Sequence, residues 1–359
     1  MSLLISLGSI KTLESYKIVL LGYQFNYQSF ASVVVSLGNF KTIQWFSSNG
    51  WNNIPFDESL LPIIARRGDA ELFMEFLDFY HEEEDCFEEN EEHLKESLAE
   101  AAKFGQLKIL QKATSKKESF VNEEISRKEF DLEDISQELL ESAAIGGQVN
   151  VLEWIWSNLS GKNEFMFEWD EWIWELVRDV VEANHIQSLE WIGSNFQLEP
   201  VADDEAEEGI MSVAALNGNI EIVRWLSSKN IIDISCKCIE SAAYGGNLEV
   251  LQHVRELGCP WSKKVCVLAA ENGHLNILKW ARSKGCPWNA SLMFPAAAKS
   301  RRNKWELYEW IWQQGCPFEE KESFRNACKC SNFEFIVFAN SWRAQSASRS
   351  SPVERTRID

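Results

Sequence analysis

Apolar and polar residues follow one another along the chain in blocks that fit pairs of short helices. Between residues 238 and 258, the small apolar pair Ala242 and Ala243 is followed by two glycines, and Leu248, Leu251 and Val254 then recur at a spacing of three. This spacing predicts one apolar stripe on a helix. The glycines predict the turn before it, because glycine adopts the left-handed conformation in which helices often end. The pattern therefore predicts a helix, a tight turn, a second helix and a loop.

The same pattern returns after 27 residues (273 − 246 and 285 − 258). The turn glycine Gly246 is repeated as Gly273, and the tetrapeptide Gly-Cys-Pro-Trp closes the unit at 258–261 and again at 285–288. Proline cannot continue a helix, and an indole can cover helix ends, so this tetrapeptide predicts a compact loop. A pair of short helices cannot bury both of its faces alone, and a fixed period therefore predicts a stack of such pairs.

Degenerate copies extend the pattern over residues 1–342, which we interpret as one elongated domain of about ten units. The turn glycine is replaced by asparagine at position 184, and asparagine is the next most tolerant residue there. Copies are recognised around Gly8, Gly38, Gly68, Gly105, Gly147, Asn184 and Gly218, and after the central two around Ala297 and Ala327.

Three segments depart from the repeat. Acidic insertions near residues 82–92 and 199–208 lengthen the spacing between copies, and insertions in repeat proteins emerge as loops. We therefore interpret both as solvated loops. From residue 343 to residue 359 the chain is rich in serine and arginine and poor in apolar residues, which predicts a disordered tail.

The string from Ala269 to Trp280, Ala-Ala-x-Asn-Gly-His-Leu-x-Ile-Leu-x-Trp, resembles the core of the ankyrin repeat. The resemblance implies a right-handed stack of helix pairs with a concave protein-binding face, no catalytic residues, and a backbone-supporting role for His274. The Thr-Pro-Leu-His start of the ankyrin helix is missing, and the period is shorter than the ~33 residues typical of that family. We therefore expect an all-α helical-repeat solenoid resembling an ankyrin stack, with shortened or absent β-hairpin fingers.

Tryptophans recur at fixed places in the repeat. Trp225 and Trp280 follow their turn glycines by seven residues (225 − 218 and 280 − 273), on the apolar face of the second helix. Trp261 and Trp288 end the loop tetrapeptide. A position that recurs in a stack repeats a structural role, so we predict packing between units; an exposed aromatic row for binding is the alternative.

Cysteines and acidic residues do not form recognisable metal motifs. The nine cysteines are scattered, and the Cys-x-Cys pairs at 236–238 and 328–330 lack the second pair that structural zinc sites use. Cys259, Cys286 and Cys316 belong to the loops and are interpreted as small buried hydrophobic residues. The acidic insertions lack the ligand spacing of a calcium loop. We expect no metal, no cofactor and reduced thiols in the cytoplasm or nucleus.

Charge and hydropathy limit the partners. A net charge of −20 opposes binding to nucleic acid or anionic lipid and predicts a basic protein partner. No apolar run approaches the ~20 residues that a transmembrane helix needs. The apolar start, residues 1–7, lacks a basic flank, so we expect no secretory signal.

These features predict a non-enzymatic protein-interaction scaffold, expected to be monomeric, that presents a concave helical-repeat surface. The alternatives are a metal-binding or enzymatic protein that uses the acidic loops or Cys-x-Cys pairs, and a member of a repeat array without a dedicated partner. Contact residues are predicted at the variable position after each small apolar pair: Lys103, Ile145, Leu216, Tyr244, Glu271 and Lys299.

Overall fold

The computed structural model describes residues 60–80, 87–115, 132–159, 170–198, 209–231, 235–300 and 305–349. Within these ranges the chain forms eighteen α-helices, one short 3-10 helix and no β-strand, which confirms the all-α prediction. The chain divides into two compact units, Met1–Asn195 and Phe196–Asp359. The repeat copies around Gly8 and Gly38 and the acidic insertion at 199–208 lie outside the described residues.

The first unit has eight helices in its described part, and they form consecutive pairs. The helices are α1 (Leu61–Arg67), α2 (Ala70–Tyr80), α3 (Phe87–Lys103), α4 (Leu107–Ser115), α5 (Leu132–Ile145), α6 (Val149–Asn158), α7 (Asp170–Ala183) and α8 (Ile186–Asn195). The first helix of each pair contacts the first helix of the next pair, in the order α1, α3, α5 and α7. Among the second helices, α2 contacts α4 and α6 contacts α8.

The second unit repeats this arrangement with five pairs in its described part. The helices are α9 (Ile210–Asn217), α10 (Ile220–Ser228), α11 (Cys236–Gly245), α12 (Leu248–Glu256), α13 (Lys264–Glu271), α14 (Leu275–Ser283), α15 (Met293–Lys299), α16 (Trp305–Gln313), α17 (Glu320–Lys329) and α18 (Phe333–Arg349). The first helices α9, α11, α13, α15 and α17 contact one another in chain order. The second helices α10, α12 and α14 do likewise, as do α16 and α18.

Small residues allow the first helices to approach closely. Ala242 and Ala243 in α11 are completely buried, as are the corresponding alanines of α3, α5, α9, α13 and α15. The second helix contributes the larger apolar side chains: Leu251 and Val254 are fully buried, whereas Leu248 at the helix start is half-buried. Burial of apolar surface between successive pairs therefore provides the core of each unit.

The turns have the backbone conformation that the sequence predicts. Gly246 and Gly273 have φ values of 90° and 74°, and Asn184 takes the same left-handed conformation with φ 67°. This region is unfavourable for most side chains, which explains why glycine or asparagine occupies it.

The residue after the turn reaches back to the preceding pair. His274 donates from Nε2 to the Tyr244 carbonyl oxygen at 3.1 Å, and Gln106 donates from Nε2 to the Arg66 carbonyl oxygen at 3.2 Å. His274 thus supports the backbone, as the resemblance implies. A Cβ atom on Gly246 would lie 2.2 Å from the His274 ring, so the turn glycine also leaves room for this side chain.

The loop aromatics pack onto the next pair. The ring centroids of Trp261 and Trp280 are 5.9 Å apart, and those of Trp288 and Trp310 are 6.1 Å apart. Trp280 and the equivalent Trp225 are half-buried, so these side chains lie at the border of the core and not inside it. The predicted packing between helix pairs is present for Trp261 and Trp288, and the rings they contact are partly exposed.

Helices include parts of two segments that the sequence analysis excluded from the repeat. The acidic segment 82–92 was expected to be a loop, but α3 begins at Phe87. Its run of glutamates suits a helix, since glutamate has a high helix propensity and is favourable near a helix N-terminus. The tail was expected to begin at residue 343, but α18 continues to Arg349. Residues 81–86 and 350–359 lie outside the described residues.

The loop cysteines are buried, as predicted: Cys259, Cys286 and Cys316 are at most 2% exposed. None of the cysteines in the described ranges forms a disulfide. Cys286 also lies beside Cys266, and a hydrogen bond between the two thiols, together with burial, raises the pKa of Cys266. Burial raises the pKa of Cys316 from 9.0 to about 11.

We expect the second unit to lose stability as pH rises from 9.0 to about 11. The folded state holds the Cys316 proton more tightly than the unfolded chain, so this contribution is complete below the unfolded pKa and is lost as pH passes the folded pKa. Urea unfolding at about pH 8 and about pH 10.5 measures the loss. Cys316→Ala should lose less stability between these two pH values; an equal loss would show that other groups cause it.

Candidate interaction surface

An open groove of about 570 Å³ crosses the first helices of the second unit. Residues of α9, α11 and α13 line it, so three successive pairs contribute. The groove is lined mainly by the apolar side chains of Val213, Leu216, Tyr244 and Leu268. The hydroxyl groups of Ser212 and Ser241 lie among them.

Leu216 and Tyr244 are the prominent apolar side chains of this groove. The Leu216 side chain is 40% exposed and the Tyr244 side chain is 51% exposed, which is high for large hydrophobic residues. They occupy the same position in adjacent pairs, directly after the buried alanines. Exposed apolar residues that are contiguous and not scattered are typical of interaction surfaces.

Both residues have backbones that the next pair holds in place. The Leu216 carbonyl oxygen lies 2.2 Å from the point where a Cβ on Gly245 would stand, so the two helices touch there through backbone atoms. The Tyr244 carbonyl oxygen accepts the hydrogen bond from His274. The groove therefore presents exposed side chains on a backbone that is in direct contact with the neighbouring pair.

Charged groups border the groove on α11. Lys237 is exposed in the first turn, and Glu240 lies one turn further along. Glu240 accepts a hydrogen bond from the Ser262 hydroxyl and lies 3.7 Å from the Lys264 ammonium group. An apolar centre with a polar rim is the usual composition of a protein–protein interface.

The structure distributes the six predicted contact residues over three settings. Leu216 and Tyr244 share the groove. Glu271 and Lys299 pair with each other, with the Lys299 ammonium 2.6 Å from the Glu271 carboxylate. The two remaining residues belong to the first unit, where the side chain of Lys103 is exposed at the end of α3 and that of Ile145 is half-buried at the end of α5.

No protein-family model matches this chain, and no curated protein sequence matches it. Among the described residues, no three His, Cys, Asp or Glu side chains lie close enough together to hold a metal ion. None of the helices in the described ranges is long and apolar enough to cross a membrane.

Seven of the nine groove residues were missed by the sequence analysis, and three of these seven obey a simple rule. Val213, Ser241 and Leu268 each lie three residues before a predicted contact position (216 − 3, 244 − 3 and 271 − 3). Residues three apart share a helix face, so applying helical periodicity to the first helices would have found them.

A further exposed aromatic lies in the first unit. Phe104, two residues after the buried alanines of α3, is 43% exposed, and the Arg66 guanidinium lies 5.0 Å from its ring centroid. In this pair the exposed apolar side chain is thus one residue later than the predicted Lys103. Lys103 ends α3 and Phe104 opens the turn, so the two positions are adjacent at the helix end.

Proposed function

We propose that this chain is a non-enzymatic protein-interaction platform, a helical-repeat solenoid that resembles an ankyrin stack. Support for the solenoid comes from the regular order of helix contacts and from the buried alanine pairs of α3, α5, α9, α11, α13 and α15. The observation that carries the interaction function is the exposure of Leu216 and Tyr244 side by side on a row of first helices.

The partner inserts an apolar side chain between Leu216 and Tyr244. The surrounding serine hydroxyls and the charged rim supply hydrogen bonds that orient it. Buried aromatic and aliphatic anchors at the centre of an interface dominate its binding energy, whereas polar rims mainly exclude water and set orientation. The net charge of −20 favours a partner with a basic surface.

Affinity purification with paired variants tests this proposal. We expect Leu216→Ala combined with Tyr244→Ala to lose a partner that the unchanged chain retains. The matched control is Phe333→Ala, which also removes an exposed apolar side chain, 72% exposed on α18. Retention by the double variant, or equal loss in the control, would contradict the assignment of the groove.

The purified partner allows a kinetic prediction. Tyr244→Ala should weaken binding roughly 30-fold, mainly through faster dissociation, because truncation of a central anchor typically costs about 2 kcal/mol. Added salt should slow association and leave dissociation nearly unchanged, since long-range charge acts on encounter. Stopped-flow measurements across ionic strengths separate the two rates; a salt-independent association rate would refute the electrostatic part.

A further inference from the structure

The first unit has a second groove, on its second helices. It has a volume of about 580 Å³ and lies between α6 and α8. It shares no residue with the groove around Leu216 and Tyr244, so its own binding chemistry is independent of the function proposed for that groove. The residues that matter to its chemistry are Glu153, Trp156, Ser157, Gln187, Glu190 and Trp191.

Two tryptophan rings form part of the groove wall. The ring centroids of Trp156 and Trp191 are 5.8 Å apart, and the rings meet edge to face at 86°. Trp191 is only 8% exposed and Trp156 is half-buried, so packing holds both rings in position. The faces of indole rings attract cations through their quadrupole, more strongly than those of other aromatic side chains.

Two carboxylates stand at equivalent positions beside these rings. Glu153 on α6 and Glu190 on α8 are both exposed, and neither has an ion-pair partner within the described part of the chain. In the second unit, the repeat position of Glu153 is occupied by Arg224. The Arg224 guanidinium donates to the carboxylate of Glu249, in the next helix pair, at 3.0 Å. In the first unit, the repeat position of Glu249 is occupied by Gln187, which is neutral. Gln187 therefore does not compensate the negative charge of Glu153.

The chain itself demonstrates how such rings accommodate a guanidinium group. Arg282 lies 4.4 Å from the ring centroid of Trp288 and donates from Nη1 to the Cys286 carbonyl oxygen at 2.9 Å. Arg255 makes the same two contacts with Trp261, at 5.2 Å, and the Cys259 carbonyl oxygen, at 2.7 Å. Each guanidinium stacks on an indole while its N–H groups reach an oxygen acceptor.

We propose that the groove between α6 and α8 binds an arginine side chain of a protein partner. The half-buried ring of Trp156 supplies the flat surface, and the nearly buried ring of Trp191 packs against it edge to face. The carboxylates of Glu153 and Glu190 supply acceptors that are stronger than the carbonyls used within the chain. A planar guanidinium matches both features, since it stacks on aromatic faces and donates in a fork to carboxylates. The partner is therefore a protein segment that carries an exposed arginine.

A labelled peptide tests this site on the full chain. The probe is a fluorescein-labelled peptide of alternating Gly-Ser and arginine, with two matched peptides that carry citrulline or lysine instead. Citrulline has the shape of arginine without its charge. We expect fluorescence anisotropy to show binding of the arginine peptide, with the citrulline peptide at least about tenfold weaker and the lysine peptide intermediate.

Matched variants locate the binding. Glu153→Gln combined with Glu190→Gln should weaken the arginine peptide about tenfold, since charge-assisted hydrogen bonds are lost. The control, Glu306→Gln combined with Glu309→Gln, removes the same charge from exposed positions of α16 and should change binding less than about twofold. Trp156→Leu, with unchanged circular dichroism, should weaken binding about threefold or more.

Several results would overturn the proposal. Equal weakening in the two glutamate double variants would show a general effect of net charge. Equal binding of the citrulline or lysine peptide would remove the guanidinium assignment, and full binding by Trp156→Leu would remove the indole surface. Absence of binding at about millimolar peptide would refute the site, since such affinity is only about −4 kcal/mol. Tyr244→Ala should leave peptide binding unchanged, which separates this site from the first-helix groove.

Discussion

Replacing Gly245 with alanine should destabilise the second unit, although alanine is the better helix former. Gly245 is the last residue of α11, where helix propensity alone predicts a gain of about 1 kcal/mol. A Cβ atom there would lie 2.2 Å from the Leu216 carbonyl oxygen. Backbone atoms cannot rotate away as a flexible side chain can, so α9 and α11 must separate. We expect a net loss of about 2 kcal/mol in the free energy of unfolding.

Urea unfolding and hydrogen exchange together measure this effect. Faster exchange should be confined to α9, α11 and α13, because in a stack each pair depends mainly on its neighbours. Gly146→Ala should behave alike in the first unit, where the Lys103 carbonyl oxygen would lie 2.0 Å from the new Cβ. Gly285→Ala separates backbone strain from close contact: no atom lies within 4 Å of its Cβ position, so its loss of about 1–2 kcal/mol comes from its φ of +78° and should not speed exchange in α9. An increase in stability for Gly245→Ala would contradict the close approach.

Replacing Asn332 with alanine should strongly destabilise the second unit, because this buried side chain joins several hydrogen-bonding groups. Asn332 is 1% exposed, and its Nδ2 donates to the carbonyl oxygens of Ser300 at 2.8 Å and Ala298 at 3.2 Å. Its Oδ1 accepts from the Phe335 amide at 3.0 Å, and its amide group also bonds the Tyr308 hydroxyl. Alanine would leave several of these groups buried without partners, at about 1–3 kcal/mol each, so we expect a total loss of about 3 kcal/mol or more.

Tyr308→Phe is the matched control for this network. It removes one hydroxyl and keeps the buried ring, so we expect a loss of about 1 kcal/mol. The Tyr308 side chain is fully buried, and this burial raises its pKa. Urea unfolding of both variants with unchanged m-values gives the comparison. A loss for Asn332→Ala no greater than that for Tyr308→Phe would show that Asn332 does not connect the last two pairs.

The helix pairs, their turns and their buried alanines were predictable because each depends on residues close together in the chain. A glycine or asparagine that ends a helix acts on its own φ angle, as Asn184 shows. The apolar stripe of α12 results from the spacing of Leu251 and Val254. The expectations that failed concern segment ends: the acidic residues from Phe87 onward suit both a loop and a helix, and α3 extends through them.

The sequence by itself determined that this protein is helical, where its turns lie and which face of each helix is apolar. Only the tertiary structure decided which repeated positions meet. It placed Leu216 beside Tyr244 in one groove and paired Glu271 with Lys299, although all four occupy the same place in the repeat. The reason is that a repeat pattern specifies a position within one unit, whereas contacts across units depend on the side chain that the neighbouring unit presents and on how closely its backbone approaches.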